Sequence, residues 1–118
     1  MNLITDQVGD IAIVRVRESR MMYPSLGDFS AAVTGLVATG RTQVLIDLGP
    51  VAYIDSATIG CLMDLYRQVS AAGGALKLSG VQPRVSSMLG MTGAQKFIAI
   101  HSDESEALRS FEGGHAHD

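Results

Sequence analysis

A short segment, Asp55-Ser56-Ala57-Thr58-Ile59-Gly60, holds the residues of this chain that are best placed to do chemistry. It comes just before an apolar pattern with helical spacing, formed by Ile59, Leu62, Met63, Tyr66 and Val69. A serine at this point predicts a helix N-cap, in which the Ser56 hydroxyl accepts a hydrogen bond from an amide of the first turn. The free amides and the dipole of a helix amino end also favour an anion there.

Ser56 is therefore open to two interpretations. It could be only a structural cap, which is the common role of serine at this position. It could also accept a phosphate, which would add about −1.5 to −2 charges beside Asp55. The helix terminus would partly offset the repulsion, so the fold could persist while a partner surface met a new dianion.

Three other features carry weaker chemical signals. Residues 35–42 nearly match a phosphate-binding loop, but they have Arg41 in place of the lysine and lead from a helix into a strand, which is the wrong context. Cys61 lies one turn into the predicted helix, where the dipole could lower its pKa, although a small buried cysteine is the commoner case. His115 and His117, with Asp118, could bind a stray metal ion, but a solvated tail is the simpler interpretation.

The sequence contains no recognisable set of nucleophile and base, so we predict that the protein is not an enzyme and needs no cofactor or metal. A small-molecule hydrolase on an α/β sheet is the weaker alternative. His101 is too isolated to complete a catalytic set.

The elements that must position this segment alternate between strands and helices. Hydrophobic periodicity predicts strands at residues 3–8, 11–16, 44–48, 75–78 and 97–100. It predicts helices that begin near Leu26, Ser56, Pro83 and Ser105, the last ending at Phe111, with glycines where the first three end. Residues 18–27 are predicted to be a loop. The fold class is therefore α/β, with a mixed, mostly parallel sheet, an opening hairpin and about four helices.

Length and charge narrow the function further. The chain has 118 residues, which fits one domain, and we place this domain at residues 1–112 with a disordered tail at 113–118. A net charge of −3 gives no electrostatic footprint for nucleic acid. One cysteine excludes a disulfide framework, and no apolar run is long enough to span a membrane, so we expect a cytoplasmic protein.

Residues 44–72 resemble the core of STAS domains and, more narrowly, of bacterial anti-sigma factor antagonists. The family has a strand ending in Asp-Leu or Asn-Leu, a short loop, and a phosphoacceptor motif Asp-Ser-Ser/Thr-Gly-Leu-Gly that opens a helix. Asp47-Leu48 matches the strand end, Asp55-Ser56 matches the start of the motif, and Ile59-Gly60 matches its close. The element order fits the family over about residues 8–112. The resemblance implies a STAS-like fold.

The resemblance also implies a regulatory cycle. Ser56 would be phosphorylated by a partner that is both a serine kinase and an anti-sigma factor, and a PP2C-type phosphatase would remove the phosphate. The unphosphorylated protein would bind the kinase and release the sigma factor. The partner-binding surface would then comprise Asp55, Ser56, Ala57 and Thr58.

This chain departs from the family at two places. Thr58 stands where glycine is usual and adds a second hydroxyl to the motif. Residues 17–24 replace a loop that reads Gly-Glu-Leu-Asp in the family and helps face the kinase. In this loop Met21, Met22 and Tyr23 either form an adaptable contact patch or pack over the sheet edge. A scaffold subunit of a stressosome-like or membrane-transport assembly is therefore the alternative function.

Overall fold

The computed structural model describes residues 1–113 as seven strands, four helices and one short 3-10 turn. The strands are β1 (Leu3–Val8), β2 (Ile11–Val16), β3 (Arg20–Met21), β4 (Gln43–Asp47), β5 (Tyr53–Ile54), β6 (Ala75–Ser79) and β7 (Ala99–His101). The helices are α1 (Gly27–Ala38), α2 (Ser56–Ala71), α3 (Pro83–Thr92) and α4 (Glu104–Gly113), and the 3-10 turn is Ala94–Lys96.

Five of the strands form one sheet in the order β1-β2-β4-β6-β7. Strands β1 and β2 are the antiparallel hairpin, and the other neighbours pair in parallel. Strand β4 lies at the centre and buries Val44, Leu45 and Ile46, as expected for a parallel strand that is covered on both faces. The predicted fold class and the opening hairpin are confirmed.

The two faces of the sheet carry separate apolar clusters. On one face Val14, Val44 and Leu78 are buried in a cluster with residues of α1, α2 and α3. On the other face Ile13 and Leu45 pack with Phe111 and other residues of α4. Because α1, α2 and α3 share one face, the amino end of α2 is held by the larger cluster.

An ion-pair network attaches α4 to the sheet through Arg15 of β2. The Arg15 guanidinium contacts three carboxylates, at 2.5 Å (Glu104), 2.6 Å (Asp6) and 3.0 Å (Asp47). The hydrogen bonds to Glu104 and Asp6 raise the pKa of Arg15 above its already high ordinary value. One partly buried cation therefore joins the hairpin, the central strand and the last helix.

The end of α2 is defined by Gly73 and Gly74. Gly73 has a φ of +85°, in the left-handed region that glycine adopts without strain. A Cβ on Gly74 would lie 1.9 Å from the carbonyl oxygen of Thr42, so the chain can approach β4 this closely only without a side chain. The predicted glycine stop of this helix is confirmed.

Strands β3 and β5 were not predicted. They form a separate two-stranded parallel sheet in which Arg20 pairs with Tyr53 and Met21 pairs with Ile54. Each strand is two residues long, which is too short for an alternating pattern to be visible in the sequence. The loop predicted for residues 18–27 therefore contains a strand, and this strand lies beside the segment that leads into Ser56.

The last strand begins at Ala99, two residues later than predicted. Phe97 is 59% exposed because the 3-10 turn before it directs the ring away from the core, and Ile98 takes the buried position instead. Helix α4 reaches Gly113, beyond the predicted end at Phe111. The disordered tail remains a prediction, since residues 114–118 lie outside the described part. Within residues 1–113, no helix is both long and apolar enough to cross a membrane.

Candidate functional site

Ser56 is the first residue of α2, and its side chain is exposed. The strand before it ends at the buried Ile54, and the helix after it buries Ile59 and Leu62. The hydroxyl is therefore held at the surface by apolar residues on both sides. Ala57, the next residue, is also exposed.

Asp55, not Ser56, is the N-cap of α2. Its backbone is extended, with φ −107° and ψ 178°, and its Oδ1 accepts a hydrogen bond of 2.9 Å from the Thr58 amide. The predicted capping role of Ser56 is wrong, because Ser56 already has helical geometry and its side chain cannot turn back onto the first-turn amides. Its hydroxyl is thus not used as the cap.

The Asp55 carboxylate also holds the loop that follows β3. Its Oδ2 accepts a hydrogen bond of 3.1 Å from the Tyr23 amide, and its Oδ1 lies 2.7 Å from the Thr58 hydroxyl. Partial burial acts to raise the pKa of Asp55, but the hydrogen bonds from Thr58 and Tyr23 outweigh it and hold the pKa below its ordinary value. The carboxylate is therefore charged at neutral pH, and both of its oxygens accept hydrogen bonds from backbone amides of the protein itself.

Thr58 is fully buried, so its predicted place in a partner-binding surface is wrong. Its hydroxyl lies 2.6 Å from the Met21 carbonyl oxygen and 2.7 Å from Asp55 Oδ1, so its one proton is shared between these two acceptors. Helix phase explains the burial, since Thr58 precedes the buried Leu62 by four residues and lies on the same face. That spacing was the signal in the sequence that could have identified Thr58 as an internal tie.

Of the three residues in the predicted contact patch, Tyr23 is 72% exposed, Met22 is half-buried and Met21 is fully buried. For Met21 the packing alternative holds, because β3 directs its side chain into the core beside Ile54. Tyr23 is joined to the amino end of α2 through Asp55. The exposed groups that come together here are therefore Ser56, Ala57 and Tyr23.

The STAS domain family model matches residues 2–107. The chain belongs to the STAS domain family. Among curated relatives, this STAS domain is 31% identical over 74 residues to a candidate anti-sigma factor antagonist of Thermotoga neapolitana. It is 28% identical over 70 residues to the anti-sigma F factor antagonist of Paenibacillus polymyxa. The aligned parts cover 63% and 59% of this chain. They cover 66% and 60% of the two relatives, which is less than two thirds of each relative's length.

Solved structures share the fold of this STAS domain. A candidate anti-sigma factor antagonist from Thermotoga maritima superposes with a TM-score of 0.84 at 20% identity, covering 93% of this chain and 94% of the other. The antagonist SpoIIAA in its unphosphorylated form gives a TM-score of 0.80 at 17% identity, covering 95% and 97%. SpoIIAA has also been solved in a phosphorylated form. The murine anion transporter Slc26a9 gives 0.74 at 14% identity and covers 92% of this chain but 18% of the transporter.

Cys61 and His101 do not join the site. Burial and the nearby Asp64 carboxylate raise the pKa of the Cys61 thiol, which favours the structural interpretation of this cysteine over a reactive one. His101 lies at the end of β7, where its Nδ1 is 3.1 Å from Glu106 Oε1. Within residues 1–113, no group of three or more His, Cys, Asp or Glu side chains has an arrangement that could hold a metal ion. The suggested ligands His115, His117 and Asp118 lie outside the described residues.

Proposed function

We propose that this STAS domain is an anti-sigma factor antagonist that is switched off by phosphorylation of Ser56. The observation that carries the proposal is the exposed Ser56 hydroxyl at the amino end of α2, beside a cap that does not need it. The names of the curated relatives support the antagonist role, and the existence of an unphosphorylated and a phosphorylated form of SpoIIAA supports regulation by phosphorylation. The proposed partners are a serine-kinase anti-sigma factor and a PP2C-type phosphatase, in a bacterial cytoplasm.

Charge is the physical basis of the proposed switch. A phosphate on Ser56 adds about −1.5 to −2 charges at neutral pH, and it does so where the amino end of α2 favours an anion. Asp55 is the closest carboxylate in sequence, but its two oxygens already accept hydrogen bonds from Thr58 and Tyr23. The cap therefore persists after phosphorylation, and the fold is retained. The change falls on the surface that a partner would contact.

The proposed contact surface is formed by Ser56, Ala57 and Tyr23, with Met22 at its edge. A small residue at Ala57 allows a kinase active site to approach the Ser56 hydroxyl closely. The exposed Tyr23 ring offers contact area at little cost in conformational entropy. This role requires no catalysis by the chain itself.

The alternative is a scaffold role in a stressosome-like or membrane-transport assembly. The likeness to the murine transporter supports it, since the matched region is a small part of that much larger protein. The TM-score of 0.74 to the transporter is below the 0.84 and 0.80 to two antagonist structures, and the antagonist role gives the exposed Ser56 hydroxyl a function. We therefore place the antagonist role first.

To test the proposal, the protein is incubated with ATP and, in turn, with each purified serine-kinase anti-sigma factor that the source genome encodes. Phosphate incorporation is then measured. Ser105 is the matched control, because it is an exposed serine in the first turn of α4, whose cap is also an aspartate, Asp103. Ser56→Ala should abolish phosphate incorporation and Ser105→Ala should leave it unchanged.

Binding to the same kinase gives a second readout. Ser56→Asp should weaken binding sharply, whereas Ser105→Asp should not. Phosphorylation of Ser56→Ala at the wild-type level would overturn the assignment of the site. Equal affinity of wild type and Ser56→Asp would overturn the switch and favour the scaffold role.

A further inference from the structure

Two arginines from distant parts of the chain flank one tyrosine ring. The Cζ atom of Arg20, in β3, lies 5.2 Å from the centroid of the Tyr53 ring, and the Cζ of Arg84, in α3, lies 6.0 Å from it. Both distances are within the range of cation–π attraction, with Arg84 at the outer limit. Both arginines are exposed, and Tyr53 is half-buried. We call these three residues the Arg–Tyr–Arg platform.

The positive charge of the platform is not neutralised within the described chain. Among residues 1–113, the ion pairs within 4.0 Å involve Arg15, Arg67, His101 and the amino terminus, but neither Arg20 nor Arg84. Arg84 follows Pro83 in the first turn of α3, which has no acidic residue to offset it. A cation there faces the positive end of the helix dipole, so its position does not stabilise the helix.

The platform lies next to the candidate functional site. Tyr53 and Ile54 form β5, and Asp55 and Ser56 follow directly. Arg20 is the register partner of Tyr53, and the loop after β3 is tied to Asp55 through the Tyr23 amide. A protein that contacts Ser56 and Tyr23 therefore meets this pair of guanidinium groups at the same edge of the molecule.

We propose that the Arg–Tyr–Arg platform binds an acidic segment, rich in Asp and Glu, on the protein that recognises Ser56. The identity of that protein rests on the proposed function, but the chemistry of the segment does not. A guanidinium presents a planar set of donors that fits a carboxylate in a bidentate manner. The Tyr53 ring lies within cation–π range of both groups, and Tyr and Arg are, with Trp, the residue types most enriched among those that dominate binding energy at protein interfaces.

Nucleic acid is a poorer fit than an acidic protein segment. The chain has a net charge of −3, so no extended positive field attracts a polyanion. Two arginines on one tyrosine form a compact site, whereas a nucleic-acid surface needs a run of phosphate contacts. Two guanidinium groups on one tyrosine ring suit a short acidic segment of a protein.

In a first test, hexaglutamate is titrated into the isotope-labelled full chain at low salt. NMR spectra report which residues it contacts. The arginine side-chain Nε–H signals of Arg20 and Arg84 and the backbone amide signal of Tyr53 should shift on titration, and the Tyr53 shift should vanish in the double variant Arg20→Gln, Arg84→Gln. Arg109→Gln is the matched control, since Arg109 is exposed on α4, which packs on the other face of the sheet. It should leave the Arg20 and Arg84 shifts unchanged.

Two outcomes of the titration would overturn the proposal. One is the absence of shifts at Arg20 and Arg84 with hexaglutamate. The other is that ATP, at matched ionic strength, shifts these signals while hexaglutamate does not, which would assign the platform to a nucleotide. Neither outcome depends on phosphorylation of Ser56, so the platform and the proposed function can fail separately.

A second test uses the kinase that modifies Ser56. Charge reversal in the double variant Arg20→Glu, Arg84→Glu should lower the association rate constant by about tenfold at low salt, because a steering attraction becomes a repulsion. The control Arg109→Glu should change this rate by less than about twofold. Equal rates for the two variants would overturn the assignment of this partner to the platform.

Discussion

The Asp55 carboxylate offers a sharp test of how the site is built, because one side chain both caps α2 and holds the loop after β3. Asp55→Ala removes the bonds to the amides of Thr58, at 2.9 Å, and Tyr23, at 3.1 Å. Loss of an N-cap costs about 1 kcal/mol, and loss of the second hydrogen bond costs about 1 kcal/mol more. We expect the free energy of unfolding to fall by about 2 kcal/mol.

Asp103→Ala is the matched control. Asp103 caps α4 through one side-chain hydrogen bond, 2.8 Å from the Glu106 amide to its Oδ1. Its removal should cost only the capping contribution of about 1 kcal/mol. Urea unfolding followed by circular dichroism at neutral pH gives both values, and unchanged m-values would show that the denatured state is the same. Equal losses in the two variants would refute the loop-holding role of Asp55.

The pH dependence of stability tests the same carboxylate. Because the folded pKa of Asp55 lies below its ordinary value, its charge stabilises the fold fully above the ordinary carboxyl pKa. This contribution is lost as the pH falls through the depressed folded pKa. Asp55→Asn lacks the titration, so the stability difference between wild type and this variant should narrow in acid. A difference that stays constant from neutral pH into acid would contradict the lowered pKa.

Two further substitutions test internal ties near the site and across the sheet. Thr58→Val should cost about 1–3 kcal/mol, because the Met21 carbonyl and the Asp55 carboxylate lose the hydroxyl that they share, and Thr58→Ser should recover most of that loss in the same urea assay. Arg15→Met should destabilise the fold by about 1–2 kcal/mol by leaving three carboxylates facing one another, and added salt should reduce the loss. Wild-type stability of Thr58→Val, or a loss in Arg15→Met that salt does not change, would contradict these roles.

Much of the fold followed from local patterns. The apolar run of β4 predicted a central parallel strand because both faces of such a strand are covered. The spacing from Ile59 to Val69 predicted α2, with a helix that begins near Ser56. These features depend on neighbours within a few residues, so the sequence alone could reveal them.

The details of the site depended on contacts between distant segments. The cap fell on Asp55 instead of Ser56 because one residue's backbone geometry decides it, and both residue types are good caps. Met21 became buried because β3 pairs with β5, a contact that no local pattern predicts. The Arg–Tyr–Arg platform joins three separate elements, so only the tertiary structure could bring it together.

The central claim, that Ser56 is the phosphoacceptor of a binding switch, is tested most directly by one measurement. Intact-protein mass spectrometry with site mapping, after incubation with the cognate serine kinase and ATP, should show a single added phosphate on Ser56. Ser105, exposed in the first turn of α4, should remain unmodified. A phosphate on another residue, or no phosphate with every serine-kinase anti-sigma factor of the source genome, would contradict the claim.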